Sequence, residues 1–316
     1  MNLKKRTEAI KVFSVCIALF LIFLAGNVNA QDTTIITNDG VKLFASIRGE
    51  GIPCLFIHGG PGQGSNYWQS LGGEIGEKHF KMIYLDQRGC GRSTSPSDSN
   101  YSIERMVQDF EEVRNSLEIE SWMIMGHSFG GVLQTYYASK HPEVIEGILM
   151  FNCTLDLYGS IEKSYLPSVI NFFEIEDSDY LLTQDIPLSV RLDSVQKLFG
   201  TRQDVWKLSF PTVESAVKFG QTYARFDVWN MDFSKKAFIT DDYRKDYSQL
   251  STSIDIPTLF LYADADENVG KNQYQKAKFP TMKLVKVHGT HMEFIEKTEE
   301  YIAAVDSFLN EYYSEK

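Results

Sequence analysis

Short apolar segments alternate with a helical pattern along the first half of this sequence, and this alternation restricts the fold more than any other feature. The apolar runs at 54–58, 82–86, 122–125 and 148–152 each end at a glycine or a polar loop. Between them, residues 103–117 place apolar side chains on one stripe at helical spacing. Short strands buried on both faces that alternate with amphipathic helices predict an α/β protein with a mostly parallel sheet flanked by helices.

The same pattern divides the chain into a core and an insertion. Strand and helix signals fill residues 31–154 and 251–316, whereas residues 155–250 are rich in aromatic and acidic side chains and read as helical pieces. An insertion placed after a parallel strand lies over the carboxyl ends of the sheet, where ligands bind in α/β proteins. We therefore predict an α/β core and a helical cap formed by residues 155–250.

The first thirty residues have the features of an export signal. Four basic residues among the first eleven precede an uncharged run over 12–25, and small residues lie just before Gln31. This run is shorter than the roughly 20 apolar residues that a membrane-spanning helix needs, so cleavage is favoured over a permanent membrane anchor. The sequence predicts a signal peptide at 1–30 and a periplasmic or secreted protein.

Charge and cysteine content narrow the range of partners. Removal of residues 1–30 takes away four basic residues and one acid, which leaves 27 Lys+Arg against 41 Asp+Glu, a net charge of −14. Such an acidic protein is a poor partner for nucleic acid or for an anionic membrane. Cys54, Cys90 and Cys153 form no CxxC pattern, and we expect buried free thiols, no metal and no other cofactor. The expected partner is a small molecule or a short peptide, and the oligomeric state stays open.

The segment Gly126-His127-Ser128-Phe129-Gly130 is a G-x-S-x-G sequence between a predicted strand and a predicted helix at 132–140. A nucleophile on a sharp strand-to-helix turn needs flanking glycines, because side chains there would clash. The amides and dipole at the start of the helix then favour negative charge that forms beside the serine. This context favours Ser128 as a nucleophile over an ordinary glycine-rich turn, and His127 is interpreted as structural.

A serine hydroxyl needs a general base and an orienting acid. His291 follows the strand near the C-terminus, in the loop before the last helix, and it is the favoured base. His288, at the end of that strand, is its competitor. Asp266 is the favoured acid because it lies further into its loop than Asp264, which remains the alternative. The order Ser128, Asp266, His291 is that of the triads on the α/β-hydrolase fold.

A glycine-rich segment, His58-Gly59-Gly60-Pro61-Gly62, follows a buried strand and completes the predicted site. Its backbone amides are expected to face the serine turn, so that the N–H groups of Gly60 and Phe129 bind the oxyanion. A Gly/Pro cluster alone is usually a turn. Together with the nucleophile, base and acid in matching positions, it predicts a serine hydrolase, and a non-catalytic binding protein would instead lack a member of this set.

Three motifs carry a family resemblance. HGGPG at 58–62, DQRGCGRS at 86–93 and GHSFGG at 126–131 together resemble the proline iminopeptidase family of α/β-hydrolases. The resemblance covers about residues 33–154 and 254–313. It implies the α/β-hydrolase fold and a peptidase that releases an N-terminal residue, often proline, from a short peptide.

The resemblance also implies carboxylates, usually glutamates on cap helices, that hold the free α-ammonium of the substrate. Asp227 and Glu214 are the candidates here, and the alternative for each is a solvated surface position. Relatives with the same signature cleave other amides, esters or lactones. The sequence therefore predicts an exported aminopeptidase, with a carboxylic-ester or lactone hydrolase as the alternative.

Two further expectations concern side chains near these motifs. Asp86 and Arg88 are expected to form a buried ion pair that fixes the loop after their strand. Tyr67 and Trp68 are expected either to line the mouth of the pocket or to pack in the core.

Overall fold

One eight-stranded sheet organises residues 31–314, the part of the chain that this computed structural model describes. The predicted signal peptide at 1–30 lies outside the described residues. In chain order the strands are β1 (Gln31–Ile36), β2 (Lys42–Arg48), β3 (Ile52–Ile57), β4 (Phe80–Leu85), β5 (Trp122–His127), β6 (Ile145–Phe151), β7 (Thr258–Ala263) and β8 (Met282–Val287).

The strand order across the sheet is β1-β2-β4-β3-β5-β6-β7-β8. The β1–β2 and β2–β4 pairs are antiparallel, and all other neighbouring strands are parallel. Every residue of the central strand β5 is buried, because helices cover both faces of a parallel sheet. The predicted α/β fold with a mostly parallel sheet is confirmed.

The helices flank this sheet and also fill the segment between β6 and β7. The first helix of that segment, α5 (Leu157–Ser160), continues through a π-helical turn at Ile161–Tyr165 into α6 (Leu166–Phe173). In chain order the helices are α1 (Asn66–Leu71), α2 (Gly73–Glu77), α3 (Ile103–Ser116), α4 (Gly130–Lys140), α5 (Leu157–Ser160), α6 (Leu166–Phe173), α7 (Asp179–Leu182), α8 (Leu188–Phe199), α9 (Val213–Tyr223), α10 (Asp232–Lys236) and α11 (Thr298–Tyr313).

Helices α5 to α10 all lie between β6 and β7, where the sequence predicted an insertion. A two-residue antiparallel bridge ties this helical segment to the core by pairing Asn230 and Met231 with Gly91 and Cys90. Over residues 31–314, none of the helices combines the length and apolar character that crossing a bilayer requires.

Cys54, Cys90 and Cys153 are buried and free, as predicted. Burial raises the pKa of each thiol, because a thiolate loses its hydration in an apolar core. These groups are therefore protonated core residues at neutral pH.

The predicted ion pair between Asp86 and Arg88 is wrong. Arg88 is fully buried. Its guanidinium donates two hydrogen bonds to the carboxylate of Asp109 on α3, from Nε to Oδ2 at 2.6 Å and from Nη2 to Oδ1 at 2.7 Å. Asp86 instead accepts from Nε of Arg92 at 2.6 Å. The chain turns between Gln87 and Cys90, where the N–H of Cys90 donates to the carbonyl of Gln87 at 3.0 Å, and Arg92, beyond this turn, reaches back to Asp86.

Removal of the Arg88 side chain should destabilise the fold strongly. Arg88→Ala removes two hydrogen bonds from the buried Asp109, whose Oδ1 keeps Nη2 of Arg105 at 2.7 Å, and the expected loss of unfolding free energy is about 3 kcal/mol. The matched control is Arg244→Ala, because Arg244 is half exposed and pairs with Asp241 at the surface. That control should cost about 0–1 kcal/mol. Urea unfolding near pH 7 measures both, and equal losses in the two variants would contradict this account of Arg88.

Candidate active site

Ser128 lies on a sharp turn between β5 and α4. Its φ is +58°, a left-handed conformation that is uncommon for a residue with a side chain. Hydrogen bonds hold the turn from both sides. The Ser128 N–H donates to the carbonyl of Phe151 at 3.2 Å, and the Ser128 carbonyl accepts from the N–H groups of Gly131 and Thr154, both at 3.1 Å. The surrounding backbone therefore maintains a conformation that is strained in isolation.

Two glycines allow the loops to approach this turn. A Cβ atom on Gly59 would lie 2.7 Å from the Cβ of Ser128, and a Cβ atom on Gly131 would lie 2.6 Å from the Cβ of Cys153. Neither distance is compatible with a side chain, so Gly59 lets the oxyanion loop (residues 58–62) contact the serine turn, and Gly131 lets α4 contact the segment after β6.

Ser128, His291 and Asp266 form one hydrogen-bonded row. The Oγ of Ser128 is 3.0 Å from Nε2 of His291, and Nδ1 of His291 is 2.8 Å from Oδ2 of Asp266. Asp266 and His291 are 2% and 6% exposed, so water does not compete for these contacts. A carboxylate that accepts from Nδ1 leaves Nε2 free to take the serine proton, which is the geometry of a nucleophile, base and acid.

Three further groups hold the carboxylate of Asp266 in place. Its Oδ1 accepts the backbone N–H groups of Asn268 at 2.9 Å and Val269 at 3.2 Å, and its Oδ2 accepts Nδ2 of Asn152 at 3.1 Å. The hydroxyl of Tyr301 donates to Oδ1 of Asn152 at 3.0 Å, which fixes the amide. Sequence reasoning missed Asn152, because its only signal was a polar residue at the end of a predicted strand.

The competing residues His288 and Asp264 form a separate pair. Nδ1 of His288 is 2.9 Å from Oδ1 of Asp264, and the His288 side chain is 84% exposed. The structure thus brings Asp266 and His291 to Ser128, and it leaves Asp264 and His288 at the surface.

His58 orients the oxyanion loop. The backbone N–H of Gln87 points at Nε2 of His58 from 3.2 Å, and the backbone N–H of Gly64 points at Nδ1 from 3.2 Å. Nδ1 also lies 2.9 Å from the carbonyl oxygen of Gly59, so the ring contacts backbone groups of the loops after β3 and β4. Because the C=O and N–H of a trans peptide point in opposite directions, the N–H of Gly60 is directed away from His58. This explains how a buried neutral histidine sets the direction of one predicted oxyanion donor.

Gly60 and Phe129, the two predicted oxyanion residues, both line the cavity over Ser128. Within residues 31–314, their backbone N–H groups donate to no other protein group. Phe129 is the N-cap residue of α4, so its amide lies at the positive end of the helix dipole. The two N–H groups are therefore available to an oxygen that gains negative charge beside Ser128.

A cavity of about 350 Å³ opens over Ser128. The core loops supply its catalytic wall, and the helical segment between β6 and β7 supplies most of the apolar lining. No Asp, Glu, Lys or Arg side chain of the described residues lines it. The polar lining is neutral and includes Gln63, Thr154, Ser160, Ser209 and Asn268.

Asp227 and Glu214, the residues expected to hold a substrate amine, require a correction. Both are exposed, and neither lines the cavity. Glu214 lies in the first turn of α9, whose Phe219 faces the cavity, and a separation of five residues puts the two on different helix faces. Asp227 follows α9 in an exposed loop. The structure brings neither carboxylate to Ser128.

Metal chemistry has no candidate ligand set in the part of the chain described. Among residues 31–314, no group of three or more His, Cys, Asp or Glu side chains is placed to hold a metal ion.

Comparison with known proteins bears on the family and the fold. A family model described as alpha/beta hydrolase fold matches residues 52–298. The proline iminopeptidase of Lactobacillus helveticus (strain DPC 4571) is 28% identical over 276 residues, which cover 84% of this chain and 92% of that protein. The proline iminopeptidase of Heyndrickxia coagulans is 26% identical over 279 residues, with coverage of 83% and 92%.

Solved structures share the fold at lower identity. A proline iminopeptidase-related protein from Thermus thermophilus superposes with a TM-score of 0.70 at 19% identity, covering 90% of this chain and 98% of its own. An enol-lactonase from Burkholderia xenovorans LB400 gives a TM-score of 0.65 at 19% identity, covering 88% of this chain and 100% of its own.

The contact between Asp266 and His291 predicts that two aspartate variants of the same loop differ in kcat. Asp266→Asn removes the acceptor that orients His291 and should lower kcat by about 10⁴-fold. Asp264→Asn changes a surface carboxylate of the same loop and should leave kcat within about twofold, since surface changes rarely disturb a distant site. Steady-state hydrolysis of a nitrophenyl ester, with Ser128→Ala as the inactive control, measures both. A larger loss from Asp264→Asn would reverse the assignment of the acid.

The buried His58 predicts a loss of stability in mild acid. Burial lowers the pKa of His58 from 6.5 to about 4. Above pH 6.5 the histidine is neutral in both folded and unfolded chains, and its full contribution is present. Below that value the unfolded chain binds a proton that the folded chain excludes, so unfolding free energy falls until about pH 4.

The expected loss attributable to His58 between about pH 7.5 and about pH 5 is about 2 kcal/mol. Urea unfolding at the two pH values measures it. His58→Gln cannot titrate and should lose less stability over this interval than the unsubstituted protein. An equal acid-induced loss in both proteins would contradict the assignment.

Proposed function

This chain belongs to the alpha/beta hydrolase fold family and is a hydrolase, and from that premise we propose that it is a serine hydrolase with Ser128 as its nucleophile. The observation that carries the proposal is the row of short contacts from Ser128 Oγ through His291 to Asp266, 3.0 Å and 2.8 Å long. In this row the hydroxyl of Ser128 faces the acceptor Nε2 of His291, so the serine proton can pass to the histidine.

In the proposed reaction, Nε2 of His291 accepts the hydroxyl proton as Oγ of Ser128 attacks the substrate carbonyl. The carbonyl oxygen becomes negative and accepts the N–H groups of Gly60 and Phe129. His291 then gives its proton to the leaving group, and an acyl-enzyme remains. Water repeats the sequence, with His291 again taking and returning a proton, and releases the acid. Asp266 stays ionised and stabilises the imidazolium throughout.

The first substrate class that we propose is a short peptide from which the enzyme releases the N-terminal residue. Support comes from the proline iminopeptidases, which match this chain over 92% of the Lactobacillus helveticus protein. Because the cavity lining contains no carboxylate among the described residues, an α-ammonium there would be held by neutral oxygens, such as those of Gln63, Ser209 and Asn268.

A second candidate is a carboxylic ester or a lactone. The neutral cavity lining favours it, because an uncharged substrate loses less hydration on entering an uncharged cavity than an ammonium does. The same nucleophile, base and oxyanion donors serve both reactions, so the free amine of the substrate separates the two candidates.

We further propose that residues 1–30 are removed during export and that the mature protein acts in the periplasm or outside the cell on small substrates, with no nucleic acid or membrane partner. The basic segment, the short uncharged run and the small residues before Gln31 support this. Sequencing of the N-terminus of exported protein should begin at or near Gln31, and retention of Met1 in membranes would favour an anchor.

Three chromogenic substrates test the substrate class. They are a prolyl anilide with a free amine, its N-acetylated twin and a short-chain nitrophenyl ester, each with Ser128→Ala as control. An aminopeptidase should prefer the free amine by about ten- to a hundred-fold in kcat/KM, since a hydrogen bond to a charged group contributes about 1.5–3 kcal/mol.

Equal cleavage of the two anilides, or cleavage of the ester alone, would contradict the aminopeptidase and favour the second candidate. Activity that survives Ser128→Ala would contradict both candidates at once.

A further inference from the structure

Tyr67 and His127 are buried beside the catalytic row, and neither takes part in the proposed reaction. Tyr67 lies on α1 and is fully buried, and His127 is the last residue of β5, directly before Ser128, and is 2% exposed. Neither side chain lines the cavity. Any effect they have on the reaction is therefore exerted through other residues.

Hydrogen bonds link the two side chains to both halves of the site. Nε2 of His127 is 3.3 Å from the backbone carbonyl oxygen of His291, and a carbonyl can only accept, so Nε2 carries the proton. In a neutral ring Nδ1 is then the acceptor, and the Tyr67 hydroxyl donates to it at 2.9 Å. The Tyr67 oxygen in turn accepts the N–H of Gly59 at 3.4 Å.

These bonds form a chain with a single direction, from the Gly59 N–H through Tyr67 and His127 to the His291 carbonyl. One end is the residue next to Gly60, whose N–H faces the developing oxyanion. The other end is the backbone of the base itself. These hydrogen bonds therefore connect the loop after β3 with the loop after β8. The contact between His127 and His291 alone joins residues 164 positions apart in the sequence.

His127 also has to remain uncharged for this arrangement. Its ring lies 4.7 Å from the ring of His291, centroid to centroid. Burial, together with the neighbouring His291, lowers the pKa of His127 well below its ordinary value. A neutral ring adds no like charge against the imidazolium that His291 becomes during acylation.

We propose that Tyr67 and His127 are positioning residues that set the separation between the oxyanion loop and the catalytic base. This inference rests on the proposed function of Ser128. It predicts that breaking the chain slows bond formation at Ser128 without weakening substrate binding, because neither residue contacts the cavity.

The alternative is that both residues only fill the core. Tyr67 does pack against aromatic rings, with its ring centroid 5.8 Å from that of Phe219 and 6.4 Å from that of Phe294. Tyr67→Phe keeps this ring and removes only the hydroxyl, so it separates packing from positioning. Tyr84→Phe is the matched control, because Tyr84 is also fully buried and its hydroxyl donates to Glu77 at 2.9 Å, a residue outside the site.

A p-nitrophenyl alkylphosphonate is the probe, because its reaction does not depend on the natural substrate. The Oγ–P bond to Ser128 forms as the bond to nitrophenolate breaks, the serine proton passes to His291, and the phosphoryl oxygen occupies the oxyanion site. The nitrophenolate burst counts reactive sites. The concentration dependence separates the maximal rate of inactivation from the apparent binding constant of the probe, and thermal unfolding reports the fold.

We expect Tyr67→Phe to lower the maximal inactivation rate per reactive site by about ten- to a hundred-fold, with the binding constant unchanged within about twofold, since a group misplaced by about 1 Å can cost roughly 10²-fold. Tyr84→Phe should lower the unfolding temperature to a similar degree and leave the rate unchanged. A Tyr67→Phe rate within about twofold of the unsubstituted protein would overturn the proposal.

His127 provides a second measurement that does not depend on the folding of Tyr67→Phe. His127→Gln keeps an N–H donor for the His291 carbonyl, whereas His127→Phe keeps a ring and removes both nitrogens. The inactivation rate should be higher for His127→Gln than for His127→Phe. Rates equal to that of the unsubstituted protein in both variants would overturn the proposal. Phosphonate reaction in Ser128→Ala would contradict the nucleophile itself, which is a different failure.

Discussion

The left-handed backbone at Ser128 is the constraint on which the rest of the site depends. A φ of +58° turns the chain sharply enough to present the hydroxyl at the edge of the sheet, and it is held by hydrogen bonds with Phe151, Gly131 and Thr154. Close approach of Gly59 to Ser128 then becomes necessary, because the oxyanion donors must lie within hydrogen-bond distance of the oxygen on the carbon that the hydroxyl attacks. The buried strand β5 and helix α4 serve to hold this turn rigid.

Charge is distributed unevenly around that turn. Among the described residues, Asp266 is the one carboxylate that bonds His291, and it accepts hydrogen bonds from Asn152, Asn268 and Val269. No Asp, Glu, Lys or Arg side chain within residues 31–314 lines the cavity, although the chain carries an excess of acids. An uncharged, low-dielectric cavity strengthens the few dipoles aimed at the reacting oxygen. Such a cavity also discriminates between substrates by charge, because a charged substrate loses more hydration on entering it than a neutral one does.

The sequence was sufficient to predict those site residues that have a recognisable local pattern. Ser128 was predictable from a glycine-flanked serine between a strand and a helix, and Asp266 and His291 from loops at the carboxyl end of the sheet. It failed where partners come from distant elements. Arg88 pairs with Asp109 of α3, not with Asp86 two residues away, and nothing in the spacing signals this. The burial of His127 between Tyr67 and His291 likewise arises only once three separate segments are packed.

The central claim is that Ser128 is the activated nucleophile of this protein, and covalent labelling tests it most directly. Full-length protein is treated with an excess of a fluorophosphonate, digested, and mapped by mass spectrometry. We expect one adduct per chain, on the peptide that contains Ser128, and no adduct when the same protein carries His291→Ala. An adduct on another residue, or equal labelling without His291, would contradict it.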